Sequence, residues 1–181
     1  MKPDDTLLTP HIRVAKPNEL ESALAIDEDA GSLFADIGLA LGHLTPDHPF
    51  VRRERERWAA AIAEQRLYFA CTSNEDLLGF VSFGTLDGQA NLDQLAVRKH
   101  AMRRGVGRAL LEHALHQNSG HAACWLTTYD HVAWNRAYYE RHGFTVVREA
   151  ECGPGMQAIL REERACLPHP HQRVAMRRSL G

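Results

Sequence analysis

The chain reads as a single α/β domain, a mixed and mostly antiparallel twisted sheet of six to seven strands flanked by helices. Three observations predict it. Two helical stretches come first, followed by a meander of short apolar runs separated by turn signals. A helix over 105–117 then joins apolar strands at 90–97 and 122–128, a length of connection that a parallel crossover needs and a hairpin does not. Finally, 181 residues, 44% hydrophobic and 24% charged, are enough to enclose one ordinary core.

Taken in order, residues 1–10 form a flexible lead and 11–181 the domain. His11 to Ala15 is a first strand, stopped by Pro17. Asn18 is placed as N-cap, with Glu21 at N3, of a helix through Leu20, Ala23, Leu24 and Ile26. That helix breaks near Gly31 and resumes toward Phe34, Ile37 and Leu41. Gly42 to Phe50, with Pro46 and Pro49, is a loop, and a second helix runs from Val51 to Gln65 with Trp58, Ala61 and Ile62 on one face. Strands at 67–72 and 77–85 make a hairpin, and Asp87-Gly88 turns the chain into the strand at 90–97. Asn118-Ser119-Gly120 ends the next helix, and Ala122 to Thr128 is a strand. His131 to His142 is a helix with Asp130 at its entry and Gly143 as its stop. Phe144 to Arg148 is a strand, Met156 to Cys166 a short helix, and Arg173 to Arg178 the last strand.

Composition excludes several classes. A net charge of −2 gives no basic field for nucleic acid. No apolar run is long enough to span a bilayer, and Met1-Lys2-Pro3-Asp4-Asp5 has no apolar signal core, so a cytoplasmic protein is expected. The four cysteines (Cys71, Cys124, Cys152, Cys166) form no Cys-x-x-Cys pair and read as reduced thiols. Among the eleven histidines, His169-Pro170-His171 is the closest to a metal motif, but the proline marks a loop and no metal is expected.

The stretch with most chemistry is Leu92 to Leu111. A short strand ends at Val97, a basic loop carries Arg98, Lys99, Arg103 and Arg104, and Gly105-Val106-Gly107 opens a helix. Unpaired N–H groups at such a start, with the helix dipole behind them, favour a phosphate, and glycine lets a bulky anion approach the backbone. By itself this fits an anion site or a tight turn with a solvated basic face equally well. A Walker motif and a third glycine for a dinucleotide fingerprint are both lacking.

Arg104-Gly105-Val106-Gly107-Arg108-Ala109-Leu110-Leu111 after Val97, followed by Tyr139-Glu140-Arg141-His142-Gly143-Phe144, resembles the GCN5-related N-acetyltransferase (GNAT) superfamily over nearly the whole chain. The resemblance implies acetyl-CoA as co-substrate and a primary amine of a small molecule, amino acid or peptide as acceptor, with a homodimer as a common assembly. It places the pyrophosphate on Met102, Arg103, Arg104, Gly105, Val106, Gly107 and Arg108, and the pantetheine arm against Leu95, Ala96 and Val97. Tyr139 takes the place of the family's general acid. Three positions depart from the pattern. Met102 stands where the loop commonly begins with Gln or Arg, Lys99 replaces a common proline, and Val132 replaces an asparagine that contacts CoA, leaving Asn135 four residues before Tyr139.

Amine acetylation requires a deprotonated amine, a stabilised oxyanion and a proton for the departing thiolate. An alkylammonium ionises near pH 10.4, so a base or water chain must act. Backbone N–H at Val97 or a neighbour suits the oxyanion. For the base the choice is Asp93, beside Gln94 on the central strand, and for the acceptor-amine contacts Asp27 or Glu28 on the first helix, where Asp27, Glu28 and Asp29 together suit a cationic acceptor. Each is also explicable as a solvated surface charge. Tyr129-Asp130-His131 is a secondary choice at a strand's carboxyl end. A non-catalytic acyl-CoA-binding regulatory module, or an acyltransferase with a longer acyl donor, are the alternative readings.

Overall fold

The computed structural model describes residues 8–39 and 45–181. Residues 1–7 of the expected lead, and Leu41 and Gly42–Leu44 of the expected first helix and loop, lie outside them. The elements are β1 (His11–Val14), α1 (Leu20–Ala35), α2 (Pro49–Ala63), β2 (Leu67–Cys71), β3 (Leu77–Leu86), β4 (Gln89–Val97), α3 (Val106–Gln117), β5 (Ala123–Tyr129), α4 (Arg136–Arg141), β6 (Thr145–Val147), α5 (Pro154–Cys166) and β7 (Arg173–Ser179). The strands hydrogen-bond in the order β1-β2-β3-β4-β5-β7-β6. The fold is therefore α/β with one open, mostly antiparallel sheet. Two compact units share the chain, Met1–Phe83 with Gln94–His116, and Gly84–Asp93 with Gln117–Gly181.

In the first unit β1, β2 and β3 are antiparallel, with Ile12 opposite Ala70 and Tyr68 opposite Val81. Their core is Trp58, Phe69, Phe80, Ile26, Ile62 and Leu67, with the Trp58 and Phe80 rings edge-on at 5.1 Å. Burying each such side chain contributes roughly 1.5–3 kcal/mol. Gly79 lies where β3 passes closest to its neighbours. A Cβ there would stand 2.6 Å from the Ala96 carbonyl oxygen and 3.2 Å from Leu110 Cδ1. Gly79→Ala is expected to lower the unfolding free energy by about 1–3 kcal/mol in a urea titration, because backbone rather than a movable side chain must give way.

Two helix starts differ from expectation. Helix α1 is not capped by Asn18; Glu19 holds the cap position and makes no side-chain capping bond. The Glu19 carboxylate instead accepts both terminal nitrogens of Arg13, at 2.8 and 2.7 Å, and the Lys16 N–H at 2.7 Å. The Arg13 guanidinium holds that carboxyl below its usual range. Nor does α1 break at Gly31, where nothing lies within 4 Å of a would-be Cβ; the helix runs unbroken to Ala35. Helix α2 starts two residues early because Pro49 occupies its first turn and His48 caps it, its Nδ1 accepting from Phe50 N–H at 3.2 Å.

In the second unit β4 meets β5 in parallel, Ala90 opposite Cys124, which is the pairing the crossover helix predicts. The closing strand β7 lies antiparallel between β5 and β6. The expected helix over 131–142 shortens to Arg136–Arg141. The Asp130 N–H still bonds to Gln172 O at 2.8 Å, and its carboxylate takes Arg136 rather than capping a helix. Helix α5 packs on the sheet through Met156 and Leu160 against Trp125, Val147 and Ala175. Its first N–H groups, at Gly155 and Met156, donate to the Asp87 carboxylate of the β3–β4 turn at 2.9 and 3.1 Å.

Candidate functional site

The basic loop is built from the end of β4. Arg98 N–H bonds to Leu78 O at 2.8 Å and its Nε to Leu77 O at 3.0 Å, so this cation is committed to β3. A 3-10 turn over Lys99–Ala101 follows, then Met102 in extended backbone. Arg103 (φ 59°) and Gly105 (φ 88°) are both left-handed, and α3 begins at Val106. A left-handed arginine costs about 1–2 kcal/mol relative to ordinary backbone. Alternating hand in this way turns successive N–H groups to one side, which is how a chain makes an anion cradle. The first helical bond in the loop runs from Ala109 N–H to Gly105 O, so Val106 and Gly107 have no helical acceptor. Arg103 is exposed and the Arg108 guanidinium pairs with Glu112 at 2.7 Å. The donor set thus suits a pyrophosphate, and no carboxylate of the loop opposes it.

In the same unit Asp27 of α1 accepts from Gln94 Nε2 of β4 at 2.5 Å. Burial pushes the Asp27 carboxyl up from 3.8 to about 6, against the lowering pull of Gln94. Gln94 Oε1 accepts the Leu95 N–H at 3.2 Å, so that backbone donor is turned to a side chain rather than offered to a ligand. Ala96 is buried; Leu95, Val97 and Met102 are partly buried. Glu28 is exposed on α1, and Asp29 bonds to the Lys99 N–H at 2.8 Å. The three neighbouring carboxylates therefore do three different things, and Asp27 has the raised carboxyl that a base near neutrality needs.

The second unit holds Asp93, Asn135 and Tyr139. Asp93 is partly buried on β4. Asn135 stands at the start of α4 without a side-chain capping bond, and its carbonyl accepts from Tyr138 and Tyr139 N–H at 3.0 and 3.2 Å. The Tyr139 ring is gripped edge-on by Tyr138 (5.2 Å) and Phe144 (5.7 Å). Burial first, then the Tyr138 hydroxyl, pushes the Tyr139 phenol upward, so it stays a proton donor across the physiological range. Tyr129 is buried, its hydroxyl on Pro168 O at 2.8 Å and Arg173 over its ring, which makes it structural. Among the described residues no group of three or more His, Cys, Asp or Glu could hold a metal ion.

A family model for the PanZ acetyltransferase (GNAT) domain matches residues 48–150. The chain belongs to that family. Two curated relatives are each called PanD regulatory factor. The one from Escherichia coli K12 is 42% identical over 64 residues, 35% of this chain and 50% of its own length. The one from Salmonella typhimurium is 35% identical over 66 residues, 36% of this chain and 52% of its own. The chain spans about half the length of the curated relatives it matches. Among solved structures, a GNAT-family acetyltransferase from Staphylococcus aureus superposes with a TM-score of 0.70 at 12% identity, covering 96% of this chain and 100% of that one. The N-acetylglutamate synthase from Neisseria gonorrhoeae, complexed with coenzyme A and N-acetyl-glutamate, gives 0.69 at 17%, covering 96% of this chain and 36% of that one. These establish the GNAT fold. The PanZ match begins at residue 48, so Asp27 and Asp29 lie ahead of it. Sequence reasoning did not find the partners of these two residues, because Gln94 and Lys99 are 67 and 70 positions away.

Proposed function

We propose that this protein binds acetyl-CoA through residues 98–108 and transfers the acetyl group directly to a primary amine, with Asp27 as the acceptor-side base. The observation that carries the reading is Asp27, a carboxyl near 6 held by Gln94, in the unit that also holds the anion cradle. Acetyl-CoA, when bound, supplies the activated acyl group. Asp27 takes a proton from the acceptor ammonium, a cationic amine matching its charge. Val97 or a neighbour offers a backbone donor, and Tyr139 holds the proton for the departing thiolate. Acetyl-CoA use and four free cysteines suit the cytoplasm.

A second reading is an acyl-CoA-dependent regulatory protein without turnover. It is favoured by the relatives named PanD regulatory factor and by Val132 at the position of the family's CoA-contacting asparagine. One experiment begins to separate them. Thermal unfolding with acetyl-CoA at a hundredfold excess over its dissociation constant is expected to gain about 2.7 kcal/mol of stability. For a chain of this size that raises the midpoint by roughly 5–10 °C. A shift with thiol release on adding amines supports the enzyme, a shift without release under any amine supports the regulator, and no shift at millimolar acetyl-CoA removes both.

A further inference from the structure

Asp29 lies two residues along α1 from Asp27, and its carboxylate accepts the Lys99 N–H at 2.8 Å. Lys99 opens the 3-10 turn at the head of the basic loop. The first N–H groups of such a turn have no partner within it. Arg98, at the cap position, has no acceptor to offer and makes no capping bond. Asp29 supplies the missing cap from 70 residues away. The Lys99 N–H is also the group that a proline, common at this position among GNAT proteins, would lack.

We infer that Asp29 is a positioning residue for the donor, fixing the loop that carries the left-handed Arg103 and Gly105 and tying it to the helix that carries Asp27. The inference rests on the reading of residues 98–108 as the CoA site. The loop holds Arg103 at φ 59° against its own preference, so surrounding structure must over-determine it. One end is anchored by Leu8 N–H on Arg104 O at 2.8 Å, and the other by Arg98 on Leu78. Asp29 adds a restraint on the turn itself, beside the burial of Ala101, and it comes from the helix that carries Asp27. Donor affinity then depends on where α1 lies; an acceptor that shifts α1 changes donor affinity, and by linkage the donor changes acceptor affinity by the same factor.

The test is calorimetric titration of CoA into the full chain and its variants, with the unfolding midpoint without CoA checking the fold. Asp29→Ala is expected to raise the dissociation constant about three- to tenfold, the net worth of one ordinary hydrogen bond. Asp29→Asn, whose amide oxygen still accepts, stays within about twofold of the parent. Lys99→Pro removes the same bond from the other side; the Arg98 ψ of 142° suits a following proline. Lys99→Pro also removes a cation of the loop, so its own loss is the larger, and the double variant loses no more than Lys99→Pro alone because the Asp29 contact is already gone. In turnover, Asp29→Ala raises the KM for acetyl-CoA while kcat stays within about twofold. Parental affinity in Asp29→Ala, or losses that add in the double variant, would overturn the inference while leaving the CoA site standing. Absence of CoA binding by the parent would overturn the site and the inference together.

Discussion

Asp27→Asn is expected to cut turnover by about 10²–10⁴-fold while making the protein more stable at neutral pH. The first effect is the ordinary worth of a general base. The second follows from the same burial that makes Asp27 a base. Its carboxyl ionises near 6 in the folded chain and at 3.8 when free in water. Between those values the folded state binds more protons than the unfolded one, so the favourable contribution is complete below about pH 4 and lost as pH rises through 6. Above pH 7 the wild type carries an ionised, partly desolvated carboxylate. Two pKa units correspond to about 3 kcal/mol at most, and partial exposure of the residue reduces this to about 1–2. Asparagine keeps an oxygen for Gln94 and removes the charge, so the midpoint should rise by a few degrees at pH 7.5 and not at all at pH 3.5. Scanning both proteins calorimetrically across that range checks the sign. In the wild type, kcat/KM should climb with pH through about 6 before levelling. Gln94→Leu, which deletes the bond that lowers the Asp27 pKa, should move that limb to higher pH. A limb that stays in place in both variants would assign the base to another group, with Asp93 the next to test.

What could be read from the sequence was what is local. The crossover over 105–117 showed itself by periodicity and by two glycines at one helix start. Gly143 ends α4 where it was placed, with Gly143 N–H on Glu140 O at 3.0 Å and Phe144 N–H on Tyr139 O at 3.1 Å, a bond pattern spanning six residues. Several missed features involve a competitor from farther off. Asn18 lost the α1 cap because Glu19 had an arginine to bind six residues back in β1. Helix α4 starts late because Asp130 is still in register with the closing strand. The start of α5 is held by Asp87, 68 and 69 positions away, in a turn whose hairpin role alone was legible. The same holds in the site: the two glycines at the start of α3 were visible in a short window, whereas the division of labour among Asp27, Glu28 and Asp29 depends on which of them meets Gln94 or Lys99.

Tyr139→Phe is expected to lower kcat by about 10²-fold with CoA affinity changed less than twofold, and it is the variant on which the enzymatic and regulatory readings part. The ring is held by Tyr138 and Phe144 through edge contacts that phenylalanine reproduces, so stability should change by less than about 1 kcal/mol. What the substitution removes is a hydroxyl kept protonated by burial. A phenol of that kind cannot act as a base near neutrality, and it produces no inflection between pH 6 and 9. In the proposed reaction it donates to a thiolate as the carbon–sulfur bond breaks, which stabilises the transition state and not the bound ground state. Loss therefore falls on kcat, with KM for acetyl-CoA little changed. Single-turnover thiol release at saturating acetyl-CoA isolates this step from product release. If the parent releases CoA at a rate that Tyr139→Phe matches, the acid is elsewhere and Tyr139 is a packed aromatic of α4. If neither protein releases thiol yet both bind CoA alike, the chain recognises acyl-CoA without consuming it, and Asp27 marks an acceptor-side pocket without turnover.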